Sequence, residues 1–432
     1  MIVTNKSRVP WSWVWLSQLP FAFWMFAIQV NQTVMQLSLK KFIENPALIG
    51  LTISVAALPV ALISPFVSFL SDRIWTRIGR RKPFYLGANI ASGVLIMCMP
   101  FAQNYWMLAT FYWLYSASTA FGKTFFPLSQ EVIPISQRGR GGAIHTIMFQ
   151  VGIFLFYVMV IGRFNDVYSL GPLTALGSLT GEAVIYILCG LGMLLPVLIV
   201  GFGLKELPLP GTQALVNGQG ERLNVVGFFK SFAVSIFERE WLGFYLLLIA
   251  SSFYTCLTPL QPLLFTEQWG YSTQDMGINI GVSSLICIPF VVWIGSRSDR
   301  SGKMRLYVGS MLLTVLFTAC YYCYVMFFLP DHRPSLLLIL IFGLVIAIPK
   351  IMMDTVQWPM IFEYVSRSKM GAASGIMEMM GGVTGLLLMP LAGLWVAGFS
   401  LLFLLGPGSE VRIVLTAPAD QSRIEQLVGP DL

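Results

Sequence analysis

Long apolar runs broken by short clusters of charge organise the whole chain. Trp11 to Leu39, Asn45 to Ser71 and Pro83 to Gly122 contain no charged side chain. Each exceeds the roughly 20 residues that carry a helix across a bilayer at about 1.5 Å per residue. The last is long enough for two crossings. Bounding every apolar run by its flanking charges predicts eleven helical spans, at 11–39, 47–71, 83–101, 105–128, 141–162, 183–204, 241–264, 276–295, 306–329, 335–360 and 370–392. The first run is full length and rich in Trp and Phe. It lacks a short apolar core followed by a small-residue cleavage site, so it reads as a permanent span and not as a secretory signal.

One long polar interruption divides the series. Residues 205–240 hold Pro208, Pro210, Gly211, Asn217, Gly218 and Gly220, which are turn and linker residues. They separate a first half of six spans (1–204) from a second (241–405). The two halves are alike. Ser71-Asp72-Arg73 and then Gly79-Arg80-Arg81 follow span 2, as Ser298-Asp299-Arg300 and then Gly302-Lys303-Met304-Arg305 follow span 8. Pro127 and Glu131, then Arg138-Gly139-Arg140-Gly141, close span 4, as Pro359 and Glu363, then Arg367, Lys369 and Gly371, close span 10. The aspartates are 227 residues apart and the Pro and Glu pairs 232. Two correspondences at nearly one offset predict a duplicated half. The pattern then lacks a twelfth apolar run. It stops near Leu405, and Gly406-Pro407-Gly408 opens a polar tail, 406–432, where Glu410 to Val414 alternates as a strand would.

Composition agrees with this reading. The 432 residues are 56% hydrophobic and 11% charged, where soluble domains carry roughly 25% charged residues. A net charge of +7 would suit an acidic partner, but the placement of the cations explains it without nucleic acid. With the N-terminus inside, nineteen of the 27 Lys and Arg fall in inward segments. That bias predicts a cytoplasmic N-terminus in a bacterial inner (plasma) membrane, with the lipid bilayer as a partner. The six cysteines lie in apolar stretches. Cys320 and Cys323 make a Cys-x-x-Cys within one helix, where packing is the expected role and a metal site is not.

Gly79-Arg80-Arg81-Lys82-Pro83, preceded by Ser71-Asp72-Arg73, resembles the signature loop between helices 2 and 3 of the major facilitator superfamily. Its spacing and ending look most like the sucrose and disaccharide proton symporters and the related glycoside, pentoside and hexuronide cation symporters. Glu131-Val132-Ile133-Pro134 with Gln137-Arg138-Gly139-Arg140 is similar to the loop after helix 4 in those families. The resemblance covers roughly residues 11–390. It implies an all-α integral membrane protein, a bundle of two pseudo-symmetric six-helix halves whose twelfth span is missing or incomplete here. It also implies secondary transport of a small polar solute, a sugar or glycoside, coupled to a proton or sodium ion, with no cofactor. The chain departs from the melibiose-type symporters in having no acidic residue within span 2.

The loops carry a gating expectation. An aspartate ending one helix can accept hydrogen bonds from the free amides at the start of another, where the macrodipole favours negative charge. The resemblance places Asp72 against the start of span 11 near Gly371, and Asp299 near Gly141 in mirror image. The neighbouring arginines Arg73, Arg80, Arg81, Arg138, Arg140, Arg300 and Arg367 would bridge to Glu131 and Glu363. The plainer alternative is that the cations only orient the protein in the membrane.

Charge inside a span is costly, at least about 2.5–3.5 kcal/mol at the bilayer centre, and so points to function. Lys123, Lys350, Asp354 and Glu378 qualify. At about 1.5 Å per residue, Lys123 stands about 12 Å from Glu131, Asp354 about 13 Å from Glu363 and Glu378 about 12 Å from Met370, a common depth. An amine of one half and a carboxylate of the other could meet there, with Asp354 and Glu378 as ion carriers. Lys350 and Asp354, four residues apart, could equally neutralise each other. Polar and aromatic groups suited to a sugar are Gln29, Asn31 and Gln32 in span 1, Gln150 in span 5, Tyr254 and Gln261 in span 7, and Gln357 with Trp358 in span 10. Each could also only cross-link helices. No metal cluster, nucleophile elbow or phosphate-binding glycine loop suggests an enzyme. A non-transporting sensor or assembly factor on the same fold is the alternative.

Overall fold

Apolar length and helix-start signals together set the elements. In the computed structural model, residues 9–71, 74–134, 137–169, 178–204, 206, 234, 261–301, 303–329, 334–364, 374–384 and 386–387 are described. Among them, eight helical segments are long and apolar enough to cross a membrane. Span 1 is Trp11–Leu39, span 2 Pro46–Ser71, span 3 Lys82–Phe101, span 5 Arg138–Met159 and span 6 Gly181–Gly203. Spans 8, 9 and 10 are Thr273–Ser301, Lys303–Phe328 and Leu336–Tyr364. Span 7 is seen at its last turns, Gln261–Gln268, and span 11 as a helix over 374–384. Side-chain caps start several of the spans: Asn104 accepts from the Met107 amide at 2.9 Å, Thr180 from Ala183 at 3.3 Å, Ser272 from Asp275 at 3.0 Å and Ser335 from Leu338 at 3.3 Å.

Span 4 is not continuous. It runs as Tyr105–Gly122, turns at Lys123 and Thr124, and resumes as Phe125–Glu131. Pro127 accounts for the break, since its ring clashes with the carbonyl four residues earlier, that of Lys123, and it has no N–H to offer that oxygen. The Lys123 carbonyl accepts instead from Phe126, at 3.2 Å. Span 8 differs from expectation in the other direction. Its helix continues through Ser298, Asp299 and Arg300, where the charge pattern predicts a loop. One residue separates spans 8 and 9, where ten separate Ser71 from Lys82 in the first half.

The halves repeat in structure as in sequence. A π turn interrupts span 1 at Val30–Val34, and another ends span 7 at Leu264–Gln268, 234 residues on. Two seams join the halves. Span 8 lies on span 5 so closely that a Cβ on Gly277 would strike the Tyr157 carbonyl, and span 11 lies on span 2 with Gly375 against Pro65. At one end, called here the far end, Val34 and Leu39 of span 1 share a buried cluster with Leu263, Phe265 and Trp269 of span 7. The opposite end carries the basic loops.

A two-stranded antiparallel hairpin, β1 Val167–Ser169 and β2 Ser178–Thr180, projects between spans 5 and 6, where the hydropathy pattern predicts only a loop. Cys320 and Cys323 lie exposed on span 9 and do not pack inside. Most of the 205–240 linker, the start of span 7 and the tail with its expected strand lie outside the described residues.

Candidate functional site

At the basic end, the sequence Thr76 to Lys82 folds back on itself. Thr76 and Gly79 bridge through paired backbone bonds, and Gly79 sits at φ 124°, a left-handed conformation that glycine alone adopts without strain. This turn delivers Arg80 and Arg81 to the start of span 3, where both are buried. Arg80 pairs with Glu131 at the end of span 4, Arg81 reaches the same carboxylate at 3.1 Å, and Arg80 Nε lies 3.6 Å from Glu206. The Glu206 carboxylate accepts from the Arg81 amide at 3.1 and 3.2 Å and from Lys82 at 3.4 Å. A buried anion therefore caps the positive end of span 3. Burial pushes the Glu206 carboxyl above the ordinary carboxylate range, against the lowering by the Arg81 amide and guanidinium.

Sequence reasoning misses Glu206 because it lies in a stretch that reads as solvated linker. A carboxylate does sit on a helix start here, Glu206 on span 3, but both follow or open spans of the first half, so this cap is not the cross-half contact expected of Asp72. Asp72, Arg73, Arg367, Gly371 and Tyr254 lie outside the described residues. The backbone of Arg138, Asp299, Arg300, Trp358 and Glu363 is helical, and their side chains lie outside the description. Arg140 is exposed, its guanidinium 5.7 Å from the Trp11 ring centre.

Deeper in the bundle the break in span 4 places Lys123 on the seam between halves. Its ammonium lies 2.9 Å from Glu378 of span 11, 4.9 Å from the Trp24 ring centre and 5.5 Å from that of Phe126. Both partners are largely buried, 13% and 17% exposed, which keeps their attraction from being screened away. Lys350 and Asp354 pair at 2.7 Å along one face of span 10 and are about twice as exposed. The carboxylate that meets an amine across the halves is thus Glu378 and not Asp354. Common depth alone does not settle azimuth around a helix.

A second contact mirrors the first. Thr355 of span 10 stands 232 residues after Lys123, and Glu378 stands 232 after Thr146 of span 5. Thr355 and Thr146 meet at 3.2 Å. One side of the pseudo-symmetric bundle is closed by an ion pair, the other by two hydroxyls.

The remaining polar candidates are dispersed. Gln29 is 1% exposed and neither of its amide atoms has a partner among the described residues. The Asn31 carbonyl accepts from Gln36 at 2.8 Å, and Gln32 is half-buried beside it in the π turn. Gln150 is buried on span 5, while Gln261 and Gln357 are half-buried. His145, buried on span 5, is ringed by Phe21, Phe126 and Phe149, with ring centres 4.0 to 5.8 Å away.

Paired helical halves, a cross-half ion pair and an arginine–glutamate cluster at one end define a polytopic transporter fold. The Major Facilitator Superfamily profile matches residues 15–322 and 243–408, and the chain belongs to that family. It is accordingly an integral membrane protein and a membrane transporter. No curated protein matches it.

Proposed function

We propose that this transporter moves a small polar solute, a sugar or glycoside, by alternating access coupled to a proton or sodium ion. The observation that carries this reading is the Lys123–Glu378 pair, which joins the two halves where a rocking motion must part them. While paired, the carboxylate satisfies the amine and closes the seam. A proton or sodium ion taken up by Glu378 replaces that partner and releases the seam, so the ion and the conformational change are linked through one carboxylate. Lys350 and Asp354 stand on span 10 beside the mirrored seam and supply a second carboxylate in the same region. The resemblance of the basic loops to the disaccharide and glycoside symporters supports a sugar substrate.

The cation bias supports the basic end as cytoplasmic, in a bacterial inner membrane. Uptake of radiolabelled sugars into proteoliposomes, under a pH gradient, a sodium gradient or neither, tests the reading. Accumulation of a sugar under one gradient is expected. Equal internal and external concentrations of every sugar under both gradients would sink it.

A further inference from the structure

The ammonium of Lys123 has two kinds of neighbour, and they belong to different halves. Glu378, at 2.9 Å, stands on span 11 of the second half. Trp24 of span 1 and Phe126 of span 4 stand in the first half, their ring centres 4.9 and 5.5 Å from the nitrogen. Both distances lie within the roughly 6 Å over which an aromatic face attracts a cation, and indole does so most strongly.

Local structure sets these groups together. Pro127 breaks span 4 at Lys123, and in the resulting turn the Phe126 amide donates to the Lys123 carbonyl at 3.2 Å. Trp24 stands edge-to-face on Phe126, with ring centres 5.6 Å apart and planes at 88°, and packs on Phe149 of span 5 at 5.9 Å. Phe21 joins the same block, 5.2 Å from Phe126 and 5.7 Å from Phe149. Every ring of the block belongs to the half that carries Lys123.

Electrostatics decide what the block does. While Glu378 sits against the ammonium the pair is close to neutral, and a ring quadrupole attracts a neutral pair far less than a bare cation. Once the carboxylate leaves or is neutralised, the full charge faces the rings. Their attraction is therefore greatest in the state without the ion pair, which is the state that an unsupported ammonium in an apolar bundle would make costly.

We infer that Trp24 is a positioning residue, the main part of an aromatic seat that holds the Lys123 charge in its own half when Glu378 lets go. The ammonium passes from a contact shared between the halves to one within the first half. The seam can then part without stranding a charge. This deepens the coupling reading and rests on it for the place of the seat in transport, whereas the attraction itself is measurable without transport.

Fluorination of the Trp24 ring tests the inference, because each fluorine drains charge from the ring face and leaves its shape nearly unchanged. Tryptophan and its mono-, di- and trifluoro forms are placed at position 24 of the full chain by nonsense suppression, and the Tm is read in detergent. The backgrounds are wild type, Glu378→Gln, and the doubly neutral Lys123→Met with Glu378→Gln. The Tm should fall slightly with each fluorine in wild type, roughly twice as steeply in Glu378→Gln, and not at all in the double variant. Glu378→Asp, whose shorter side chain draws the carboxylate back from the ammonium, should give a slope between the first two and keeps the comparison available if Glu378→Gln folds poorly. Equal slopes in all backgrounds would make Trp24 a packing residue and overturn the inference. So would a slope in wild type as steep as in Glu378→Gln or Glu378→Asp, or a flat series in both of those variants. Failure of the coupling reading would show in gradient-driven accumulation and would leave these slopes as they are.

Discussion

Two contacts occupy mirrored places in this bundle and are built from opposite chemistry. Lys123 and Thr355 each stand four residues before a proline, Pro127 and Pro359, and face Glu378 and Thr146 across the seam. In one half the proline breaks the helix and the residue at the break is a cation. In the other the helix runs through Pro359, and Thr355 bonds back to the Ile351 carbonyl at 2.7 Å. A hydroxyl pair closes its seam without any charge, so joining the halves does not require an ion pair. The charge at Lys123 and Glu378 is an addition to the fold. Its cost in a membrane is the argument that transport uses it.

The largest effect should follow from Glu378→Gln. The substitution keeps shape, removes the ion carrier and leaves the Lys123 ammonium without its carboxylate. Accumulation under an ion gradient should fall to the equilibrium level. Thermal stability should also drop, toward the ~2.5–3.5 kcal/mol cost of an uncompensated charge. Adding Lys123→Gln should restore the stability but not the accumulation, which separates the two roles. A single variant that still concentrates solute would reduce the pair to a structural clamp.

Asp354→Asn should act next most strongly, and differently. Its partner Lys350 is on the same helix and more exposed, so stability should change by no more than the ~0.2–0.5 kcal/mol of a helical pair. Gradient-driven accumulation is expected to be lost while exchange at equal concentrations persists, because exchange need not move a net proton. Retained accumulation would make Asp354 and Lys350 a self-neutralising pair and leave Glu378 as sole carrier.

The Glu206 cap at the basic end brings pH into the comparison. Burial raises the Glu206 carboxyl pKa, so the folded chain takes up this proton at a higher pH than the unfolded chain does. Acidification through that window therefore costs no stability through Glu206. It does convert the cap on span 3 from charged to neutral. Thiol reagents slow at low pH as the thiolate is protonated, so the readout is the wild-type rate divided by that of Glu206→Gln carrying the same cysteine reporter at the basic end. That ratio should lie below one at neutral pH and approach one as pH falls toward the carboxylate range. An identical pH profile in the two proteins would place the sensitive group elsewhere.

Much of this arrangement is legible in the amino-acid sequence alone. Among the described residues, hydropathy places the spans to within about four residues, except the end of span 8, because uncharged runs of that length have no other stable home. The offset of 232 between the Pro and Glu pairs already marks Thr355 and Thr146 as mirrors of Lys123 and Glu378. Depth counted from the loops sets the four ionisable groups level, but which amine meets which carboxylate depends on helix rotation, which counting does not give. Glu206 hides for another reason. It sits in a polar stretch, and only the approach of Arg80, Arg81 and Glu131 from two other spans buries it.

The smallest effect belongs to the neutral seam. Thr146 also bonds back along its own helix, to the Gly142 carbonyl at 3.1 Å, so the two hydroxyls bring two protons to three contacts. The bond across the halves competes with both helical ones and should be worth about the ~0.6 kcal/mol average of polar contacts between membrane helices. Thr355→Val, nearly equal in shape, should therefore shift the Tm only slightly and leave gradient-driven accumulation intact. The matching change at the charged seam, Lys123→Met, strands a buried carboxylate and should be several times more damaging. Equal losses from the two substitutions would mean that the seams do the same work and that the charge at Lys123 and Glu378 serves only to hold the halves together.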